Sequence, residues 1–318
     1  RTALYRVRLK KSHRRIMIMI INAQSPKGES HIMIKIFTDT SANLPAELII
    51  KHSIKIIPLT FTVGGVESVQ EETEDFDGKA FYNAMRSGTP VKTSMINTAA
   101  FLNAFEPELK CGNDIIYIAM SGGISGTAQA AQTAAAELEG EYPERDIAVI
   151  DTLAASLGEG LLVLEAAEMN EGGVSFKDIV GCISEKRRNM CQFFTVEDLK
   201  YLKNGGRISG ATAVVGTILN IKPILKGDDA GRIISCGKVR GKRAALLTLA
   251  ESFDKLAKDK KETIGIAHAD SEDDAAFLLS ELKKRGFKGK CITVCYEPVT
   301  GAHVGPGTVA LFFGGIHK

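Results

Sequence analysis

From residue 34 onward, short apolar runs, turns and amphipathic stretches follow one another along the chain. Residues 34–38 read as a buried strand, and Ser41 to Asn43 offer caps for a helix starting near Pro45. Residues 54–62 form a second β-rich run in which Pro58 marks an edge or a strand end. Helical spacing over 75–86 stops at Gly88. A strand at 115–120, an alanine-rich helix at 127–138, a strand at 147–151 and a helix at 156–170 ending at Gly172 follow in turn. Strands alternating with helices of these lengths predict βαβ units and a parallel sheet.

Gly172-Gly173 is the expected domain boundary. Beyond it the pattern predicts a helix at 175–189, a strand at 192–196 and a glycine-punctuated stretch at 205–216. Residues 223–226 and 232–235 flank an Asp-Asp-Ala-Gly turn and read as a hairpin. A helix at 244–258, a strand at 263–268, a helix at 274–285 and strands at 291–296 and 309–313 complete the chain. The expected architecture is two α/β domains, 33–172 with a mainly parallel sheet and 173–318 with a mixed sheet. A chain of 318 residues is long enough to give each its own core.

Residues 1–32 stand apart. Their first half is strongly basic, and the apolar run at 16–21 is too short to span a bilayer or serve as a signal h-region. They are read as a disordered or non-native extension, with no stable membrane insertion. A formal net charge of +2, with Lys and Arg scattered and not interleaved with aromatic residues, argues against nucleic acid. None of the six cysteines forms a CxxC pair, and no histidine sits at a finger-like offset. They are expected to be reduced core thiols of a cytoplasmic protein, with no metal site.

The sharpest local signal is Ser121-Gly-Gly-Ile-Ser-Gly-Thr127, between a predicted strand and a predicted helix. Glycines let backbone amides approach a ligand, and the helix start offers unpaired N–H groups. The loop is neither a dinucleotide fingerprint, because Ser121 replaces the first glycine, nor a phosphate loop with its lysine. It reads as an anion site or as a tight strand-to-helix turn. Thr93 and Ser94 stand before another predicted helix, as caps or as ligand donors beyond a sheet edge. His303, in Gly301-Ala-His-Val-Gly-Pro-Gly307, reads as a loop imidazole that either donates to an oxyanion or has no role. Asp39 and Asp151 end strands and precede hydroxyl residues, which suits magnesium or helix capping. Metal-dependent phosphotransfer or hydrolysis is therefore an alternative, but nucleophile elbows and paired-histidine metal spacings are lacking.

Taken together, the motifs resemble the DegV family. Asp39-Thr-Ser-Ala-Asn-Leu44, Ile56-Ile-Pro-Leu59, Lys92-Thr-Ser94, Ser121-Gly-Gly-Ile-Ser-Gly-Thr127, Asp151-Thr-Leu-Ala-Ala-Ser156 and Asp198-Leu-Lys-Tyr-Leu202 occur in the family's order. Gly206-Arg-Ile208, Lys222-Pro-Ile-Leu225, Lys238-Val-Arg240 and Gly301-Ala-His-Val-Gly305 continue the series, so the resemblance covers 33–315. It implies two α/β domains with a ligand tunnel between them that holds one long-chain fatty acid. It also implies a monomeric, non-catalytic subunit without cofactors, which presents the acyl carboxylate to a separate ATP-binding fatty acid kinase subunit. Thr93, Ser94, Ser121, Gly122, Ser125 and His303 would then bind the carboxylate, and Lys203, Arg207 and Arg240 would face the kinase. The family commonly carries two serines at the start of the glycine loop, where this chain has Ser121-Gly122. That leaves Ser121, Ser125 or backbone amides as donors. A regulatory binder of another acyl ligand is the second alternative.

Overall fold

The computed structural model describes residues 33–69, 76–208 and 220–316; the extension at 1–32 and most of the glycine-punctuated stretch lie outside them. The chain opens with β1 (Ile34–Asp39), a 3-10 turn and α1 (Ala46–Lys51). Ser41 to Asn43 do not cap α1, whose N-cap is Pro45 with no side-chain cap; Asp39 caps the 3-10 turn instead, its carboxylate accepting from the Ser41 N–H at 2.8 Å. The apolar run at 54–62 is two strands, because Pro58 and Leu59 break it. β2 (Lys55–Ile57) pairs parallel to β1, and β3 (Thr60–Val63) turns back through Gly64 and Gly65 onto β4 (Val66–Val69). Both glycines have positive φ, as a two-residue hairpin turn requires.

Next come α2 (Gly78–Arg86), β5 (Val91–Ser94), α3 (Thr98–Lys110), β6 (Asp114–Ala119), α4 (Thr127–Glu141), β7 (Ile147–Asp151) and α5 (Leu157–Glu171). The second half contains α6 (Phe176–Lys186), β8 (Met190–Thr195), α7 (Lys200–Asn204), β9 (Ile221–Gly227), β10 (Ile233–Arg240) and α8 (Lys242–Leu256). It ends with β11 (Ile264–His268), α9 (Glu272–Lys284), β12 (Cys291–Cys295), α10 (Pro298–Val304) and β13 (Val309–Gly314).

Among the described residues the strands form three sheets. The first is parallel throughout, in the order β2-β1-β6-β7. Its central strand β6 is buried along its whole length, as a parallel strand covered on both faces must be. The second is mixed, in the order β10-β9-β8-β13-β11-β12, with only β11 and β12 parallel. The third is a small antiparallel sheet, β4-β3-β5, that the hydrophobic pattern does not predict. Its strands are short, and β4 is largely exposed.

The packing is layered. One apolar cluster joins Phe101 and Phe105 of α3 and the alanines of α4 to the outer face of the first sheet. Another joins α8 and α9 to the outer face of the second sheet through Phe253, Leu278 and Phe313. Between the sheets lies α5, buried on nearly every side rather than along one stripe. It touches β1 and β6 on one side and β8, β11 and β13 on the other. Its glycines permit the approach: a Cβ at Gly158 would stand 3.0 Å from Phe312, and one at Gly160 2.9 Å from Leu44. The central cluster therefore runs without interruption from Ile36 and Ile118 through Leu157 to Phe194 and Phe312.

Among the cysteines, Cys111 and Cys236 are exposed, which corrects the expectation of core thiols, whereas Cys191 is buried. Among the described residues, no helix is long and apolar enough to cross a membrane.

Candidate functional site

The site is assembled by four segments that end near one another. The first is β5, which carries Thr93 and Ser94 at its C-terminal end and is held by pairing with Thr60 and Phe61 of β3. The second is the glycine loop after β6. The third is the turn between β7 and α5, and the fourth is α10. The expectation that His303 sits on a loop is corrected here. Glu297 caps α10, accepting from Thr300 N at 2.6 Å and from Val299 N, and Pro298 occupies the first turn. These start signals outweigh the glycines at 301 and 305. His303 lies in the last turn, and its Nε2 shares a 2.8 Å hydrogen bond with Thr93 Oγ1.

These segments line a cavity that is partly open to solvent. Thr93, Ser94, Ser125, Arg207 and His303 are among its lining residues. The remaining wall is mainly apolar and drawn from both halves of the chain, including Met120, Phe194, Leu202, Ile233, Val304 and Phe312. Ser94 and Met95, both in the lining, are also exposed to solvent. The turn from β7 contributes Ala154, Ala155 and Ser156. Leu153 and Ser156 both have positive φ, an arrangement that costs on the order of 1–3 kcal/mol per residue. It is held by Ser121 N donating to Ala154 O at 2.7 Å and by Leu153 N donating to Asp151 Oδ1 at 2.8 Å.

Arg207 is the one charged side chain among the described lining residues. Its Nε donates to Ile124 O at 3.1 Å, and its Nη1 donates to Gly205 O, so the guanidinium bridges the glycine loop and the end of α7. Burial, and secondarily the charge of Arg207, push the His303 imidazole down to about 4. His303 is thus neutral near pH 7, with one ring nitrogen donating and the other accepting. A cavity with apolar walls, one fixed cation, a neutral imidazole and several hydroxyls suits an amphiphile with a single anionic head.

Ser121 and Gly122 do not line the cavity. Ser121 is buried and donates its hydroxyl to Gly231 O at 2.8 Å, while Gly122 N donates to Asp151 Oδ2 at 3.1 Å. Lys203 and Arg240 are exposed and are not among the lining residues. Asp39 and Asp151 serve different places. Asp39 is buried, accepts from Tyr117 at 2.6 Å and from Ser41, and is raised by burial. Asp151 holds the turn after β7. Among the described residues, no cluster of three or more His, Cys, Asp or Glu is placed to hold a metal ion.

Sequence reasoning overlooked Met95, Tyr296 and Thr300, all of which line the cavity. The signal for Thr300 was present: residues 299, 300, 303 and 304 are one face of a helix. Nothing local marks Tyr296.

The DegV family, described as an uncharacterised protein family, matches residues 33–314. A DegV domain-containing protein of Clostridium perfringens is 38% identical over 285 residues, covering 89% of this chain and 98% of that protein. A DegV family protein from Thermus thermophilus, described as fatty acid binding, is 30% identical with a TM-score of 0.81, covering 89% of this chain and 100% of the other. A fatty-acid-binding DegV protein from Bacillus subtilis is 28% identical with a TM-score of 0.76, over 88% and 98% of the two chains.

Proposed function

The chain belongs to the DegV family, and from that premise we propose that it binds one long-chain fatty acid in a tunnel between its two α/β halves. The carboxylate lies at Thr93, Ser94, Ser125, His303 and Arg207, and the acyl chain runs along the apolar wall. The observation that carries this reading is the distribution of charge: one guanidinium and no carboxylate among the described residues of an otherwise largely apolar lining. A sixteen-carbon acid buries about 14 methylenes, worth about 11 kcal/mol gross at ~0.8 kcal/mol each. Association and ordering take back several kcal/mol, which leaves submicromolar binding within reach. The tail supplies affinity, and the polar end fixes direction.

The reading extends to a non-catalytic, monomeric cytoplasmic protein whose bound carboxylate is offered at the open end to a separate ATP-binding kinase subunit. Exposure of Ser94 beside the cavity supports presentation there, and exposed Lys203 and Arg240 are assigned to the docking surface. Arg207, half-buried and lining the cavity, is assigned to the head group instead. Ser121 and Gly122 are assigned to shaping the loop.

Native mass spectrometry of protein expressed in bacteria, followed by denaturing extraction, tests the binding. The expected result is a one-to-one adduct with the mass of a sixteen- or eighteen-carbon acid. A different acyl mass would keep the cavity's role and change the ligand. A ligand-free mass that stays unchanged after incubation with fatty acids would end the lipid reading. For the kinase role, the loaded protein mixed with the ATP-binding subunit should yield acyl-phosphate.

A further inference from the structure

We infer that Gln192 ends the acyl tunnel and so sets the longest chain the protein accepts; this rests on the fatty acid reading above. Side chains alternate between the two faces of a strand. On β8 and β13, Cys191, Phe193, Leu311 and Phe313 belong to the outer cluster under α8 and α9. Met190, Phe194, Ala310 and Phe312 belong to the central cluster around α5. Gln192 falls between Met190 and Phe194 in the inner row of β8, where it is the one polar residue.

That row crosses a boundary at Gln192. Phe194 and Gln192 of β8, with Phe312 of β13, line the cavity described above. The next inner pair, Met190 and its partner Gly314, lines a second cleft together with Leu161, Leu162 and Ile292. The helix that carries His303, α10, leads into the start of β13, where Thr308 Oγ1 donates to Val304 O at 2.9 Å. Phe312 lies three residues along β13 from Val309, roughly 10 Å, and Gly314 roughly 7 Å further. Leading away from α10, the inner face therefore presents Phe194, then the Gln192–Phe312 pair, then the second cleft.

Gln192 is fixed across the gap between the two halves. Its Nε2 donates to Leu153 O at 2.8 Å, in the turn after β7. Gly227, at the end of β9, leaves it room, because a Cβ there would fall 2.3 Å from the same nitrogen. The amide cannot swing aside for a methyl terminus without breaking its bond to Leu153, which is unfavourable. A chain that reaches Gln192 therefore stops there. Each buried methylene is worth about fourfold in affinity, a gain that a longer chain forgoes once it outgrows the tunnel.

The test incubates the delipidated parent, Gln192→Ala and Gln192→Met with an equimolar mixture of saturated acids of sixteen, eighteen, twenty and twenty-two carbons. Native mass spectrometry reads the adducts. The parent should favour palmitate over the twenty-two-carbon acid by about tenfold or more. Alanine removes the partition and should raise the ratio of the longest acid to palmitate by about tenfold, the gain from burying roughly two further methylenes. Methionine keeps the length of the side chain without its amide, so its ratio should stay within a few-fold of the parent's. An unchanged ratio in the alanine variant overturns the inference. An equal rise in the methionine variant also overturns it, since that reports loosening of the contact with Leu153 and not space. Should the alanine variant fail to fold, the parent decides: equal uptake of the shortest and longest acids overturns the inference by itself. If the parent takes up none of the acids, the fatty acid reading fails first and this one with it.

Discussion

The Ser121 hydroxyl donates to the Gly231 carbonyl at 2.8 Å, fastening the glycine loop after β6 to the turn between β9 and β10. The two residues are 110 positions apart. The same oxygen accepts from Gly123 N at 3.0 Å, so it also shapes its own loop. Gly231 has a φ of +70, and a Cβ there would strike Ser121.

Removing that hydroxyl should therefore weaken the fold more than the site. We expect Ser121→Ala to cost about 1–3 kcal/mol, through the unpaired Gly231 carbonyl. The melting temperature should fall by several degrees, with palmitate affinity kept within a few-fold. Titration calorimetry beside thermal melting checks this. Full stability with a large loss of affinity would instead make Ser121 a ligand contact.

His303 makes stability depend on pH. Its folded-state value of about 4 lies below the ordinary 6.5, so below pH 6.5 the unfolded chain takes up a proton that the folded protein refuses. Its contribution is complete above pH 6.5 and is lost as pH falls toward 4. Thermal melts of the ligand-free parent and His303→Gln between pH 7 and 4 should diverge, with the parent losing more. Parallel curves would place the imidazole in solvent.

Glu159 responds in the opposite sense. It is buried in α5, where Thr38 donates to its Oε1 at 2.9 Å and Ser41 to its Oε2 at 2.8 Å. Each of those hydroxyls also contacts a second acceptor, Ile118 O for Thr38 and Asp39 for Ser41. Burial first, and Asp39 second, hold Glu159 well above its ordinary 4.5. A raised folded value gives stability that is complete below pH 4.5 and is lost as pH rises through that value. Glu159→Gln, neutral at every pH, should gain on the parent in melting temperature as pH increases. A constant difference between the two would show that Glu159 is ionised when folded.

Met95 joins the cavity lining to the solvent-exposed surface, where it would hinder a ligand's exchange. It lines the cavity and is 50% exposed, and a Cβ at Gly126 would stand 2.8 Å from its sulfur. Met95→Ala should speed exchange of a fluorescent fatty acid several-fold, with stability changed by less than about 0.5 kcal/mol, as for a surface substitution. Stopped-flow displacement measures it, and an unchanged rate would put the entrance elsewhere.

The βαβ pattern of the first half was legible because β1, β6 and β7 are short apolar runs between clear stop signals. The small antiparallel sheet was not. β4 reads Val-Glu-Ser-Val and is largely exposed, so it buries too little to leave a hydrophobic trace. Thr93, Ser94 and Ser125 were visible as hydroxyls beside sheet ends. Arg207 was visible only as one of a basic group, because its direction depends on Ile124, 83 residues away. Ser121 and Gly122 have the composition of a ligand loop. Their donors are consumed by Gly231 and Asp151, partners that no local pattern announces.

The position of α5 has a thermodynamic corollary. A helix packed on β6 and on β13 at once cannot keep its contacts if either sheet melts. Calorimetric heating should accordingly give a single transition whose van't Hoff and calorimetric enthalpies agree. A ligand held at 100 times its dissociation constant would displace that one transition as a whole, by the equivalent of about 2.7 kcal/mol. Occupancy at the open end is thereby registered by the β11–β12 edge, on the far side of α5.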